Sequence, residues 1–260
     1  MEGCKGAEKA VHFTVRVSSL LKWTSCLPLG ATLFSVLWSV AFDFERSTAT
    51  HCKVYNLLPT ISSAIGGFTP QRYVWRICIA MHVTQRVMIA LAYYSFHTSV
   101  PAPTSQHLYN TLAAVNSLLH VVEIVSLVGL SMISSTENGT VHENLFICFM
   151  VTGLSYMLLT IVLMRWARFS NDRQPSVQDV TSLRYKTNLF LLNIATFGIA
   201  VYFYFRHNAH CEPGVYTLYA GLEYVVVLTN ILFHSTCCLD FRDYDFGVVR
   251  RDLVPHEKEE

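Results

Sequence analysis

Long apolar segments recur along this chain of 260 residues, separated by polar ones. Six of them run for about 20 residues or more, which at about 1.5 Å of helix rise per residue crosses the roughly 30 Å hydrocarbon core of a bilayer. The pattern predicts an all-α fold, a polytopic membrane protein whose six transmembrane helices form one bundle and a single membrane domain, residues 1–260. The predicted spans are 23–42, 77–96, 110–133, 144–164, 187–205 and 214–239.

The composition supports a membrane location. Hydrophobic residues make up 52% of the chain, charged residues make up 14%, and the mean hydropathy is +0.35. Inside the six segments the charged residues are Arg86, Glu123 and Glu223 alone. This segregation of charge excludes a soluble α/β enzyme, a nucleic-acid-binding protein and a small disulfide-stabilised scaffold.

Lysine and arginine residues concentrate on one side of the predicted spans. The cytosolic side of a membrane protein carries the excess of these residues. Both termini are therefore expected to be cytosolic, and the loops 45–71, 134–143 and 206–213 to face a lumen or the cell exterior. The basic residues on the expected cytosolic side are Lys5, Lys9, Arg16, Lys22, Arg165, Arg168, Arg173, Arg184, Lys186, Arg242, Arg250, Arg251 and Lys258.

Two features of the expected lumenal loops indicate lumenal chemistry. Asn138, Gly139 and Thr140 form an N-glycosylation sequon close to the membrane, which leaves a glycosylated and an unmodified asparagine as equal alternatives. Of the eight cysteines, Cys52 and Cys211 are the ones in these loops. A disulfide between them is favoured over two free thiols, because disulfides persist in an oxidising lumen.

Polar residues of the spans lie on narrow stripes. Three spans each place their polar side chains within an arc of about 80° or less. Stripes this narrow should face the bundle interior, because lipid offers polar groups no partners. They consist of Arg72, Arg76 and Arg86 in and before the second span, Asn116, His120 and Glu123 in the third, and Tyr216, Glu223, Asn230 and His234 in the sixth.

Three charged residues are expected to share one layer of the membrane. Helix rise places Arg86, Glu123 and Glu223 all roughly 13 to 15 Å below the lumenal surface. One interpretation is an ion pair that holds the helices together, with the second carboxylate neutralised. The other is a polar cavity in which a glutamate serves as general acid or base. The sequence leaves both open.

A polar rim is expected above this layer. Arg72, Arg76 and Arg206 put three guanidinium groups on the side where basic residues are disfavoured, and a phosphate at headgroup level would account for them. Other rim residues supply the proton acceptors and hydrogen-bond donors that acyl transfer needs, namely His142, Glu143, His207 and Asn208. The sequence has no nucleophile elbow, zinc-ligand spacing or P-loop, so no metal and no bound cofactor is expected.

Several short motifs follow one another along the chain: Ala49–Cys52, Ser63–Gly67, Pro70–Arg76, His142–Asn144, Arg206–Asn208, Gly214–Thr217, and Glu223–Asn230 with His234. In these motifs, and in order from about Leu33 to Leu239, the chain closely resembles the post-GPI-attachment members of the Frag/DRAM/Sfk family of membrane proteins. The string PQRYVWR, Pro70–Arg76, is too long to match by chance.

The resemblance implies a Golgi membrane protein, with the endoplasmic reticulum as an alternative location, that remodels the fatty acids of glycosylphosphatidylinositol (GPI) anchors. In this pathway of lipid metabolism the unsaturated sn-2 chain is removed and a saturated one, typically stearoyl, is restored. The protein would act in the reacylation of lyso-GPI. Its implied partners are lyso-GPI-anchored proteins, membrane lipids and other remodelling enzymes, with no role for nucleic acid.

Under this interpretation the rim arginines hold the inositol phosphate while a nearby side chain deprotonates the sn-2 hydroxyl. The candidates for that base are Glu123, His142, Glu143 and Glu223. Stearoyl-CoA or a phospholipid is the acyl donor, and the stripe leading toward the cytosol, His120, Asn230 and His234, favours the former. Two other functions stay open: a non-enzymatic lipid-binding accessory to a separate acyltransferase, and, less favoured, a small transporter.

Overall fold

Helices account for nearly all of the regular structure in a computed structural model that describes residues 11–101, 105–169 and 175–249. In chain order the elements are β1 (Val11–Arg16), α1 (Val17–Phe42), α2 (Phe44–Thr48), α3 (Ile61–Gly66), α4 (Gln71–Ser99), α5 (Gln106–Met132), α6 (Gly139–Phe169), α7 (Val177–His210), α8 (Val215–Ser235), α9 (Cys237–Asp240) and β2 (Asp245–Val249). Six helical segments are long and apolar enough to cross a membrane, namely α1, α4, α5, α6, α7, and α8 together with α9. The predicted all-α, multi-pass membrane protein is confirmed.

Most of the long helices extend beyond the predicted apolar spans, because polar residues that cap a helix lie outside its apolar run. Ser176 caps α7, accepting a hydrogen bond from the Asp179 amide while Asp179 accepts one from the Ser176 amide. This reciprocal capping box satisfies two amides of the first turn. Ser105 caps α5 through the Leu108 amide in the same manner. Helix α7 therefore begins well before the predicted boundary.

The six long helices form a closed ring. Each packs against the next long helix along the chain, and α1 packs against α8. The ring encloses an interior to which α4, α5 and α8 contribute buried charged side chains, as the narrow stripes predict: Arg86, Glu123 and Glu223 are all less than a tenth exposed.

A two-stranded antiparallel sheet closes one end of the ring, the end that we call the sheet face. Strand β1 precedes α1 and pairs with β2, which follows α9. Both ends of the described chain therefore lie on this face, as an even number of spans requires. Beneath the sheet, Leu21, Tyr93 and Phe241 pack in one apolar cluster. That this face is cytosolic stays a prediction, and the tails predicted at 1–10 and 255–260 lie outside the described residues.

The opposite end, which we call the disulfide face, is tied together covalently. Cys52, between α2 and α3, forms a disulfide with Cys211, between α7 and α8. Backbone hydrogen bonds reinforce this link, since the Gly214 amide donates to the Tyr55 carbonyl at 3.1 Å. The segment between α2 and α3 is thereby held across the ends of α7 and α8.

Removing this disulfide should loosen the disulfide face. It joins residues 159 positions apart, so the double variant Cys52→Ala, Cys211→Ala frees a long loop in the unfolded chain. We expect it to lower the free energy of unfolding by about 2 to 4 kcal/mol. Thermal unfolding of the purified protein in detergent measures this, with Cys148→Ala, a free and half-buried thiol, as the control that should change little.

Candidate functional site

Four polar side chains from three helices meet at the centre of the ring, and we call them the central cluster: Arg86 of α4, Glu123 of α5, and Asn230 and His234 of α8. Arg86 Nη2 lies 2.7 Å from Glu123 Oε2. The other carboxylate oxygen, Oε1, lies 3.1 Å from His234 Nε2 and accepts a hydrogen bond of 3.1 Å from Asn230 Nδ2. Glu123 is fully buried and Arg86 is 3% exposed. A buried carboxylate thus has both a cation and a histidine as partners.

The histidine of this cluster has two alternative hydrogen bonds. Arg86 Nη2 lies 2.7 Å from His234 Nε2 and 3.3 Å from Nδ1. If Nε2 is unprotonated it accepts from Arg86, and if it carries the proton it donates to Glu123. The second tautomer leaves Nδ1 unprotonated, with Arg86 Nη2 3.3 Å away. The cluster can therefore hold His234 as a neutral base whose protonated form the glutamate would stabilise.

The spacing of residues along two helices brings the cluster together. Asn230 and His234 are one turn apart on α8 and share a face, and Glu123 lies on the α5 face that contacts them. Gly153 of α6 makes room for the carboxylate, because a Cβ atom at this position would stand 3.1 Å from Glu123 Oε1. Glycine thus permits this close approach without a shift of the carboxylate.

An aromatic wall borders the cluster. Tyr156 of α6 stacks on His234 with ring centroids 5.3 Å apart and an interplanar angle of 6°, and on His120 of α5 at 4.3 Å and 25°. His120 is 1% exposed, and neither of its ring nitrogens has a hydrogen-bond partner among the described residues. Stacking fixes the plane of the His234 ring, which sets the direction in which its two nitrogens point.

The ligand atoms of His120, Glu123 and His234 all lie within 4.8 Å of one another, a donor set that could hold a metal ion. The guanidinium of Arg86 already forms an ion pair with the Glu123 carboxylate, at 2.7 Å. Its positive charge opposes a second cation at this distance. The arrangement therefore suits proton transfer better than metal binding.

A small cavity of about 10 Å³ opens beside the cluster, enough for about one water molecule. His120, His234 and Tyr156 line one part of it, and Lys186 of α7 lines another. Lys186 belongs to a second buried ion pair, with its Nζ 2.5 Å from Asp240 Oδ2 of α9. The cavity thus extends from the central cluster toward the sheet face.

Glu223 does not share the layer of the central cluster, contrary to the sequence-based expectation. Its Oε2 accepts a hydrogen bond of 3.2 Å from the Ile61 amide at the start of α3. Asn230, two helical turns further along α8, is the residue at the depth of Glu123. The depth count was wrong here because it assumed that the neighbouring ends of α5 and α8 lie level, whereas Asn230, seven residues beyond Glu223, is the α8 residue that bonds to Glu123. Glu223 binds the first turn of α3 and positions that helix.

The three arginines expected to hold one phosphate are not brought together. Arg72 and Arg76 both pair with Glu137, at 3.6 Å and 3.3 Å. Each also donates to backbone carbonyls, Arg72 to Gly66 and Arg76 to residues at the end of α5. One loop carboxylate and nearby backbone carbonyls therefore serve as partners for both arginines. Hydrogen bonds from the Ser134 amide and hydroxyl, followed by the two arginines, hold the pKa of Glu137 below its ordinary value.

Arg206 lies apart from this pair. Its Nε and Nη2 donate to the two carboxylate oxygens of Glu212 at 2.8 Å and 3.1 Å, a bidentate contact that lowers the pKa of Glu212. No described contact joins Arg206 to Arg72 or Arg76. The structure therefore does not bring the three arginines to one point: Glu137 pairs with two of them and Glu212 with the third.

The remaining rim candidates divide into buried and exposed residues. His142 is buried, with Nδ1 2.8 Å from the Ile133 carbonyl and Nε2 3.0 Å from the Ser62 hydroxyl. Both of its nitrogens are used in joining α3 to the α5–α6 turn. Glu143 and Asn208 are exposed to the surroundings.

His207 lies behind the disulfide. It is fully buried, and its ring packs against His51 and Tyr216 at centroid distances of 5.6 Å and 4.8 Å. His51, Cys52 and His207 also place ligand atoms within 4.8 Å of one another. Because the Cys52 sulfur is bonded to Cys211, this group lacks the thiolate that a metal would need.

Asn138 precedes α6 and is exposed. Its Oδ1 accepts a hydrogen bond of 3.1 Å from the Val141 amide, as an N-cap does. The side-chain nitrogen, where a glycan would attach, takes no part in this bond. Glycosylation of Asn138 stays a prediction.

Sequence reasoning missed four residues of the site. Gly153 and Tyr156 occupy an apolar span where a glycine or a tyrosine is ordinary, although a mid-span glycine opposite a charged residue is a usable signal. Lys186 is one of the basic residues expected on the cytosolic side, and Asp240 comes directly after the last predicted span, 214–239. Their pairing needs the turn at α9, which the apolar pattern does not reveal.

Comparison with known proteins identifies relatives along almost the whole chain. The family model described as the Frag1/DRAM/Sfk1/Cwh43P N-terminal domain matches residues 17–244. Acyltransferase PGAP2 of Xenopus tropicalis is 42% identical over 238 residues, 91% of this chain and 92% of that protein. Post-GPI attachment to proteins factor 2 of Drosophila melanogaster is 42% identical over 244 residues, 93% of this chain and 91% of that protein. No solved structure matches the chain.

Proposed function

The chain belongs to the Frag1/DRAM/Sfk1/Cwh43P family, and from this premise we propose that it remodels GPI anchors in the Golgi membrane. In this proposal it transfers a saturated acyl chain, typically stearoyl, to the sn-2 hydroxyl of lyso-GPI. The names of the relatives from Xenopus tropicalis and Drosophila melanogaster support the pathway. The observation that carries the catalytic part is the buried contact between His234 and Glu123 beside Arg86.

His234 acts as the general base in this mechanism. With Nε2–H donating to Glu123, Nδ1 accepts the proton of the sn-2 hydroxyl as its oxygen bonds to the acyl carbonyl carbon. Glu123 fixes the tautomer of the neutral His234 ring and then stabilises the imidazolium that forms. Asn230 orients Glu123 by donating a hydrogen bond to its Oε1. His234 then returns the proton to the thiolate or alkoxide that leaves as the bond between donor and carbonyl carbon breaks.

Arg86 stabilises the transition state in this scheme. Attack on the carbonyl places negative charge on its oxygen, and a fixed guanidinium in a water-poor interior favours that charge strongly. Arg86 is 3% exposed and is held by Glu123 and His234, so it is already oriented. The substrate needs a path to this position, because the cavity of about 10 Å³ admits no acyl chain. Separation of neighbouring helices of the ring therefore accompanies binding.

Cells that lack the protein provide the test in the natural pathway. We expect re-expression of the wild-type chain to restore stearoyl at sn-2 of GPI anchors, measured by mass spectrometry of anchor lipids. Glu123→Gln at equal abundance should not restore it, whereas Glu143→Gln, an exposed carboxylate beyond the cluster, should. Full remodelling by Glu123→Gln would overturn the proposed site, and co-localisation with Golgi markers in the same cells tests the location.

Enlarging Gly153 should misplace the catalytic carboxylate without removing it. The added methyl group of Gly153→Ala would meet Glu123 Oε1 at 3.1 Å, so the carboxylate must shift. We expect acyl transfer to fall roughly 10- to 100-fold, because small errors in catalytic geometry are costly. Gly198→Ala is the matched control, since nothing lies within 4 Å of a Cβ there. Equal activity of both variants would show that the position of Glu123 does not matter.

A further inference from the structure

A second space lies on the sheet face, in a cleft of about 410 Å³ between the end of α6 and the start of α7. The cleft is separate from the cavity at the central cluster. One arginine comes from each helix, Arg165 from α6 and Arg184 from α7. The other lining residues are Val180, Leu183, Thr187 and Asn188.

The lining residues of α7 form one face of that helix. Positions 180, 183, 184, 187 and 188 follow the spacing of three and four residues at which helical side chains stand side by side. Lys186 faces away from the cleft, into the central cavity, and pairs with Asp240. The α7 wall of the cleft thus carries two apolar side chains, Val180 and Leu183, beside cationic and neutral hydrogen-bonding ones.

Among the described residues, the acidic side chains Asp179 and Asp240 at this end of the bundle are paired with other bases. Asp179 lies 3.1 Å from Arg168, and Asp240 lies 2.5 Å from Lys186. Within the described parts of the chain, neither Arg165 nor Arg184 has an ion-pair partner. Two guanidinium groups at one cleft attract an anion with several oxygens, and guanidinium geometry matches phosphate in particular.

The general excess of basic residues on cytosolic faces explains why arginines occur here. It does not explain why two of them line one cleft together with the hydroxyl of Thr187, the amide of Asn188 and two apolar side chains. A ligand that is anionic at one end and apolar at the other would match all of these groups.

We propose that the cleft binds the phosphate of an amphiphile at the membrane surface, with Arg165 and Arg184 as the phosphate ligands. The phosphate has two natural sources on a cytosolic face: the coenzyme A part of an acyl-CoA, or the headgroup of an anionic phospholipid. The site goes beyond the proposed acyl transfer, since phosphate binding here needs none of the central-cluster residues. An acyl-CoA bound here would be the acyl donor held outside the catalytic cavity.

Binding measurements on the purified full chain in phosphatidylcholine nanodiscs test the proposal. The first arm titrates stearoyl-CoA and the second counts phosphatidylinositol molecules retained in native mass spectra. We expect the double variant Arg165→Gln, Arg184→Gln to weaken the binding of one of these two probes by about ten-fold or more. Binding of that probe to the wild type should weaken at high salt. The control is Arg242→Gln, an exposed arginine of the same face outside the cleft, which should change little.

Each outcome decides the proposal. Loss in the stearoyl-CoA arm assigns the cleft to the acyl donor, and loss in the lipid arm alone assigns it to an anionic headgroup. Unchanged binding of both probes, or an equal loss in the control, overturns it. Because acyl transfer is not measured, failure here leaves the central cluster untouched, and failure of the proposed function leaves this test valid.

Discussion

Replacing His234 by glutamine should lower the rate of acyl transfer by about 10²- to 10⁴-fold, the usual contribution of a general base. Glutamine keeps a hydrogen-bonding group near Glu123 and Arg86 but cannot take up a proton. The loss should appear in kcat, measured with saturating lyso-GPI and donor, while binding of lyso-GPI changes little.

His97→Gln provides the matched control for this variant. His97 is also a buried histidine, on α4, but its Nδ1 contacts the Tyr109 hydroxyl at 2.7 Å and it lies outside the cavity. Its replacement should leave kcat within a few-fold of the wild type. Equal losses in both variants would mean that buried histidines matter here for folding, and His234 would lose its catalytic role.

Replacing Glu123 by glutamine should destabilise the protein as well as inactivate it. Arg86 would then lie buried beside His234 with no anion, and loss of one partner of a buried ion pair costs about 3 to 5 kcal/mol. The double variant Arg86→Gln, Glu123→Gln removes both charges and should recover most of that stability, because two neutral amides can bond to each other. Thermal unfolding in detergent measures both.

The same double variant distinguishes a structural role of the ion pair from a catalytic one. If Arg86 and Glu123 serve only to hold α4 against α5, restoring stability should restore acyl transfer. In our account it should not, because the oxyanion donor and the carboxylate that stabilises protonated His234 are both gone. A stable double variant with wild-type activity would contradict the mechanism and leave the pair as a structural lock.

The helices and their inward faces could be predicted from the sequence because both follow from short-range periodicity. Apolar runs of membrane-crossing length give the spans. The repeat of about 3.6 residues places Glu123, Asn230 and His234 on inward stripes before any coordinates are known. The need of buried charges for partners then favours a contact with Arg86, although the same reasoning also places Glu223 in that layer.

Features that depend on loop paths could not be predicted. Glu137 pairs with Arg72 and Arg76, and Glu212 pairs with Arg206. The spacing of these residues along the chain does not show that the loops approach the arginines. The role of Glu223 was missed for the same reason, since α3 reaches it from a distant part of the chain. Periodicity describes one helix at a time, whereas these contacts depend on how separate segments are joined.

Acyl transfer by the purified chain tests the central claim most directly. Wild-type protein and His234→Gln, each alone in nanodiscs, would be given lyso-GPI with stearoyl-CoA or with a stearoyl phospholipid, and products would be read by mass spectrometry. Our account predicts the sn-2 stearoyl product from one of these donors with the wild type, and its loss with the variant. Binding of lyso-GPI without product from either donor would contradict it and would make the protein an accessory to a separate acyltransferase.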